Sequence, residues 1–238
     1  MIKRSGSEFY SNYLKHKQSI FARFEREIFN KAEGENEQIT CKKGCTYCCS
    51  LYVEAMSKEC ETVVYYLYQK EEALISFLEQ YPSWREETAQ LGDRCTKALN
   101  LYRNSGRREK DYRDLADAFL FYKLQNRACP FLRESTCLIY YARPFVCAAH
   151  FVSTPAEWCN PRNARQPKIY KCNFDEELVD QSYYDEQLNG TDLVLMPLKV
   201  HEILEKDLCK FTHIDRFLGL DRELIDQDKI LSILKAYI

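Results

Sequence analysis

Apolar side chains recur at helical spacing along most of the chain. Between residues 8 and 31 they fall three, four and seven positions apart, for example at Tyr10, Phe24 and Ile28, which is the pattern of an amphipathic helix. Pro82 separates two further predicted helices, because proline lacks a backbone N–H and usually ends a helix. The other predicted helices span about 58–80, 82–106, 109–127, 175–189, 198–208 and 221–238.

The second predicted helix has a recognisable starting signal. Ser57 is predicted to cap its N-terminus, since a serine side chain can accept a hydrogen bond from the first turn. Glu59 and Glu61 follow near the positive end of the helix dipole, where acidic side chains are favoured.

Two segments lack any helical period. Residues 41–49 read CKKGCTYCC, and residues 128–173 contain five of the chain's seven prolines. Both segments are predicted to be loops, with short strands in the second one around CLIYYA and KIYKC.

These patterns predict a mainly α fold with a single domain over residues 1–238. In it, two irregular cysteine-rich loop segments interrupt the helices and converge on a metal site, with a motif core at 41–172. Neither segment alone holds enough thiols for the metal chemistry that both indicate, so we expect them to meet in space.

The overall composition is that of an ordinary globular protein. Hydrophobic residues make up 45% of the chain, charged residues 29%, and the formal net charge is −2, so no general attraction to nucleic acid or to anionic membranes is expected. No apolar run is long enough to span a bilayer, and residues 1–18 lack the apolar region of a secretory signal. We therefore expect a cytoplasmic protein without a nucleic-acid or membrane partner, and a protein substrate is left open.

Twelve cysteines need an explanation in a reducing compartment. There, such a number indicates metal binding or redox chemistry rather than disulfides. Cys172 and His150 are reserve ligands, whereas Cys60, Cys95 and Cys209 lie in helical patterns and are predicted to be core cysteines. The candidate metal ligands are Cys41, Cys45, Cys48, Cys49, Cys129, Cys137, Cys147 and Cys159.

Residues beside the candidate ligands suit a thiolate site. Gly44 lets the backbone turn sharply between the first two cysteines of its segment. Four thiolates on a divalent ion leave about two negative charges, which Lys42, Lys43 and Arg143 could offset.

The number of thiols bears on the kind of metal centre. A single structural zinc needs four ligands, and this chain offers more, so two metal centres or one polynuclear cluster is implied. Because neighbouring side chains diverge, Cys48 and Cys49 are predicted to have different duties. The excess of thiols favours a redox or cofactor-activating role, and two structural zinc ions are the alternative.

The two cysteine segments carry a family resemblance. C-x3-C-x2-C-C followed by C-P-x-L-x5-C-x2-Y-x2-R-P-x2-C resembles the YkgJ-type cysteine-cluster family of zinc- or iron-chelating domains. A similar domain forms part of flagellin lysine N-methylases, so the resemblance allows methylase-like catalysis. The family usually has arginine after the last motif cysteine, where this chain has Ala148. The matching positions are Cys41, Cys45, Cys48, Cys49, Cys129, Pro130, Leu132, Cys137, Tyr140, Arg143, Pro144 and Cys147.

Other classes of protein use similar cysteines. The spacing C-x3-C-x2-C is also that of radical S-adenosylmethionine enzymes, which bind an iron–sulfur cluster, but the chain lacks the alternating strand–helix pattern of their barrels. A zinc-stapled structural or interaction module without catalysis is the main alternative. Ligand type does not separate zinc from iron–sulfur, because both accept thiolates.

Overall fold

The computed structural model describes residues 6–170, 193–210 and 226–238, and within these ranges the predicted mainly α fold is confirmed. The helix predicted at 175–189 and the reserve ligand Cys172 lie outside the described residues. No helix in the described ranges combines the length and apolar character needed to cross a membrane. The helices are α1 (Gly6–Gly34), α2 (Ser57–Tyr68), α3 (Glu71–Asn104), α4 (Glu109–Gln125), α5 (Phe145–Ala148), α6 (Met196–Lys210) and α7 (Gln227–Tyr237).

The helix predicted over 58–80 is interrupted, with a break at residues 69–70 between α2 and α3. The break lets the chain turn, so that buried Leu67 of α2 and buried Phe77 of α3 join one hydrophobic core. A continuous helix would carry these two side chains away from each other along its axis. The N-cap of α2 is Met56, so the prediction of Ser57 at this place is wrong by one residue.

Pro82 does not end a helix; it lies inside α3. Proline in a helix interior costs about 3 kcal/mol or more. Pro82 is on the exposed side of α3, whereas Phe77, Tyr81 and Trp84 are buried on the other side. Burying an aromatic side chain contributes roughly 1.5–3 kcal/mol. The burial of these three side chains therefore outweighs the cost of the proline in the helix.

The strands are short and form three antiparallel pairs within the described residues. β1 pairs with β6, so that Glu54 lies opposite Leu195 and the chain before α2 is joined to the chain before α6. β2 pairs with β3, and β4 pairs with β5. The strands are β1 (Glu54–Met56), β2 (Leu132–Arg133), β3 (Thr136–Cys137), β4 (Phe151–Val152), β5 (Ile169–Tyr170) and β6 (Leu193–Leu195).

The main core lies between α2, α3 and α6, and it extends to the cysteine loops. Phe131, from the second loop, stacks on Phe77 of α3 with ring centroids 4.3 Å apart. Gly92 allows close approach on another side of α3, since a Cβ there would clash with Leu195 Cδ2. The helices thus form a scaffold against which the second cysteine loop is packed.

A buried ion pair joins α1, α2 and α5. Lys17 Nζ lies 3.1 Å from Glu59 Oε1, and both side chains are almost completely buried. Glu59 also accepts hydrogen bonds from the backbone N–H groups of Met56, at 3.2 Å, and Phe145, at 2.9 Å. Lys17 also donates a long 3.5 Å hydrogen bond to Ala142 O and lies over the Phe145 ring. Buried charges are tolerated when they are paired and hydrogen-bonded in this way.

We predict that this ion pair is strongly coupled. K17M and E59Q should each lower the free energy of unfolding by about 3–5 kcal/mol, because each leaves a buried charge or buried donors without a partner. The double variant K17M/E59Q should cost less than the sum of the two. Urea unfolding followed by circular dichroism measures this.

The exposed pair between Glu109 and Arg113 provides the control. E109Q should change the free energy of unfolding by no more than about 0.5 kcal/mol. Strict additivity of K17M and E59Q would show that the two side chains stabilise the fold independently.

Candidate metal centre

The first cysteine segment begins with a tight turn. Gly44 has a φ of +90°, a conformation that favours glycine, and the Cys45 N–H donates to Lys42 O at 3.0 Å. A short 3₁₀ helix over Tyr47–Ser50 follows and carries Cys48 and Cys49. The turn predicted at Gly44 is therefore present.

The second segment presents its cysteines from three different elements. The Cys129 N–H donates to Cys49 O at 2.7 Å, which ties the start of this segment to the first one. Cys137 lies on β3, whose hairpin turn places Glu134 and Ser135 at positive φ. Cys147 is carried by α5, which starts after Pro144.

Thiols from both segments surround one cavity of about 200 Å³. Its remaining wall is partly apolar, with Val53, Phe131, Ile139 and Met196. Within the described residues, no three Cys, His, Asp or Glu side chains are close enough to hold one metal ion as they stand. The thiols therefore line the wall of the cavity and are not gathered around a single position. The cysteines that line this cavity are Cys45, Cys48, Cys49, Cys129, Cys137 and Cys147.

Cys48 is the central thiol of the group. A hydrogen bond with the Cys49 side chain is the main cause that raises its pKa well above the ordinary range, and burial adds to it. Burial also raises the pKa values of Cys129 and Cys147, and the nearby Cys48 adds to both shifts. Buried and mutually repelling, these thiols keep their protons until a cation offsets the charge of the thiolates.

Backbone amides and one arginine lower the pKa values of the thiols, which opposes the effect of burial. Hydrogen bonds from the backbone of Phe131 and Ile139 partly offset the burial that raises the pKa values of Cys129 and Cys137. The charge of Arg143 likewise lowers the pKa values of four of the thiols, although burial or hydrogen bonding outweighs it. N–H donors and positive charge around sulfur are what a thiolate ligand requires.

Two further candidate ligands lie beside this cavity. Cys41 accepts a hydrogen bond from the Val152 N–H at 3.2 Å and lines a neighbouring cavity. Cys159 is buried, and its pKa is raised to about 11 by burial and then by Cys48, Cys41 and Cys45 nearby. The structure thus gathers all eight candidate cysteines in one region.

The other candidates have different surroundings. His150 lines the neighbouring cavity, and burial lowers its pKa, so the imidazole is neutral near pH 7. Cys60 and Cys95 are buried within the core, as predicted. Cys209 lies on α6, and its side chain is outside the described part.

Sequence reasoning missed two kinds of residue at this site. Met196 comes from α6, far along the chain, and nothing in its local pattern points to the cavity. Tyr140 belongs to the motif, but its role under the Arg143 guanidinium, 4.1 Å from the ring centroid, was not foreseen. The motif position of Tyr140 was the one available signal.

Comparison with known proteins identifies the family of this arrangement. The family model CxxCxxCC, described as "Putative zinc- or iron-chelating domain", matches residues 40–167, more than half of the chain. The chain belongs to the CxxCxxCC family. The matched range includes both cysteine segments, in agreement with the cysteine-cluster resemblance found from the motifs. No curated protein and no solved structure matches the chain.

The residues present fit the metals named for this family. Sulfur ligands suit both zinc and iron–sulfur centres, and six cysteine thiols line the cavity. The amide donors and the Arg143 charge provide the surroundings in which thiolates are stabilised.

We predict that Cys48 and Cys49 contribute unequally. C48S should abolish metal binding, because Cys48 lies near cysteines of both segments. C49S should retain part of the metal, because the Cys49 side chain is hydrogen-bonded to Cys48 and so supports it. Metal content per chain, measured on the two variants in parallel, distinguishes these cases. Equal and complete loss in both variants would contradict different duties.

Proposed function

We propose that the CxxCxxCC protein holds a polynuclear iron–sulfur centre in the thiol-lined cavity, and that this centre has a redox or cofactor-activating role. The observation that carries the proposal is the set of six cysteines around one cavity. A tetrahedral structural zinc takes four ligands.

The shape of the cavity supports a polynuclear centre over a single ion. A zinc ion is held by four thiolates at about 2.3 Å, whereas six cysteines line this cavity. A volume of about 200 Å³ between the thiols gives space for several metal and bridging sulfur atoms. Cys45, Cys48, Cys129, Cys137 and Cys147 come from both segments and would be its main ligands.

The protein side of such a centre is largely in place. When bound, an iron–sulfur centre supplies one-electron chemistry or a Lewis-acidic iron. Val53, Ile139 and Met196 keep part of the cavity wall apolar, which limits access of water. Arg143 keeps positive charge beside the sulfurs, which favours a centre of net negative charge.

A second cavity beside the first favours a role beyond structural support. It has a volume of about 300 Å³ and shares five lining residues with the thiol-lined cavity: Lys42, Lys43, Tyr140, Arg143 and Cys147. A small molecule bound there would lie next to the metal ligands. A centre that only stapled the fold would not need such access.

We predict that protein purified without oxygen is brown and contains iron and acid-labile sulfide. C129S should lose most of the metal, since Cys129 lies in the cavity and accepts a backbone hydrogen bond at its sulfur. Iron, zinc and sulfide per chain, visible absorption and electron paramagnetic resonance after reduction with dithionite provide the measurement.

C95S is the matched control, because Cys95 is a buried cysteine that donates to Ala118 O at 3.3 Å and lies away from the cavity. It should keep the wild-type metal content. A colourless protein with one zinc per chain, no redox change and only a loss of stability in C129S would overturn the proposal in favour of a zinc-stapled module.

A further inference from the structure

The cavity beside the thiols has the size and position of a ligand site. Its volume of about 300 Å³ is at the lower end of the range for small-molecule pockets. Its walls come from α1 and from both cysteine segments. Cys41 and Cys147 form part of the lining, so a bound molecule would touch the immediate surroundings of the metal centre.

The lining carries an excess of positive charge. Lys42, Lys43 and Arg143 line the cavity, against a single carboxylate from Glu25. Among the described residues, none of these three cations forms an ion pair. The charge of Arg143 lowers the pKa values of the Cys41 and Cys147 thiols. The two lysines are exposed to solvent. The lysine charges are therefore free to meet an anion that enters from solvent.

Two buried polar atoms around this cavity have no hydrogen-bond partner within the described part of the chain. They are Arg143 Nε and His150 Nε2, and both residues line the cavity. Buried polar groups in native proteins are almost always hydrogen-bonded, so such atoms call for an explanation. An acceptor on a bound molecule provides one for the arginine.

The aromatic lining lets a flat molecule stack on one ring at a time, because the Tyr140 and Tyr141 rings are nearly perpendicular and Arg143 lies over Tyr140. Tyr140 and Tyr141 both line the cavity, with ring planes nearly perpendicular and centroids 5.6 Å apart. The Lys43 ammonium lies 5.8 Å from each of these ring centroids. Phe21 of α1 adds a third ring to the wall. Positive charge and aromatic surface are thus combined at one place.

We propose that this cavity binds a small organic anion, with a carboxylate or phosphate group on Lys42 and Lys43 and a flat body against Tyr140 and Tyr141. Binding of the anion can be measured with or without the metal. The further statement that this anion is the substrate of the centre rests on the proposed function. The chemistry shared by the two acid groups is an oxyanion on a short aromatic or unsaturated body.

Calorimetric titration of the metal-loaded protein under anaerobic conditions tests the proposal with three probes. Benzoate and phenyl phosphate carry the two acid groups, and benzyl alcohol is the neutral probe of similar size. We expect at least one anion to bind at least about tenfold more tightly than benzyl alcohol. The relative affinity of benzoate and phenyl phosphate then identifies the acid group.

Because Lys42 and Lys43 also line the thiol-lined cavity, K42Q/K43Q is titrated as metal-free protein beside metal-free wild type. The double variant should weaken anion binding by at least about tenfold. K97Q/K110Q removes the same charge from two exposed lysines that do not line the cavity, and it should bind the anion like wild type. Equal losses of anion affinity in the two double variants would show that net charge alone explains the effect, and this would overturn the site.

Three other outcomes separate this proposal from the proposed function. Normal metal content with no preference for either anion overturns the anion site alone. Wild-type anion affinity in metal-free K42Q/K43Q, together with loss of metal from that variant, would show that the lysines only balance the thiolates, and it would overturn the anion site. A wild-type protein without metal overturns the proposed function, and titration of that metal-free protein still decides anion binding.

Discussion

The buried contact between Lys17 and Glu59 is the constraint on which the arrangement of the cysteine loops depends. Two charges removed from water destabilise a fold unless each finds partners, and Glu59 finds three: the Lys17 ammonium and the N–H groups of Met56 and Phe145. These groups belong to α1, to the end of β1 and to the start of α5. One carboxylate therefore fixes the relative position of three parts of the chain that are far apart in sequence.

This constraint reaches the metal centre through α5. Phe145 is the first residue of that helix, and Cys147 lies two residues later. The ring of Phe145 also packs against Phe24 of α1 and under the Lys17 ammonium. On the other side of the cavity, the stacking of Phe131 on Phe77 holds the loop that contains Cys129. The cysteine loops are thus held by contacts with α1 and α3, which contain none of the candidate ligands.

The cavity holds thiols that stay protonated, and therefore neutral, until a metal ion binds. Burial raises the pKa values of Cys129, Cys137 and Cys147, so the thiols are neutral in the absence of a cation. Amide donors and Arg143 lower the cost of removing the protons when a cation arrives. Binding is then coupled to proton release, and the fold itself does not have to support a group of unpaired thiolates.

The sequence by itself determined the helical class, the long α1 and α4, the turn at Gly44 and the family, because these follow from local periodicity, backbone preference and motif spacing. The predictions that Pro82 ends a helix and that the second helix runs to residue 80 are wrong, because burial against distant residues outweighs local propensity at both places. The contacts of Glu59 with Lys17 and Phe145, the entry of Met196 into the thiol-lined cavity and the second cavity with its two lysines were decided by the tertiary structure alone. Each depends on contacts between residues tens of positions apart, and no local pattern encodes such contacts.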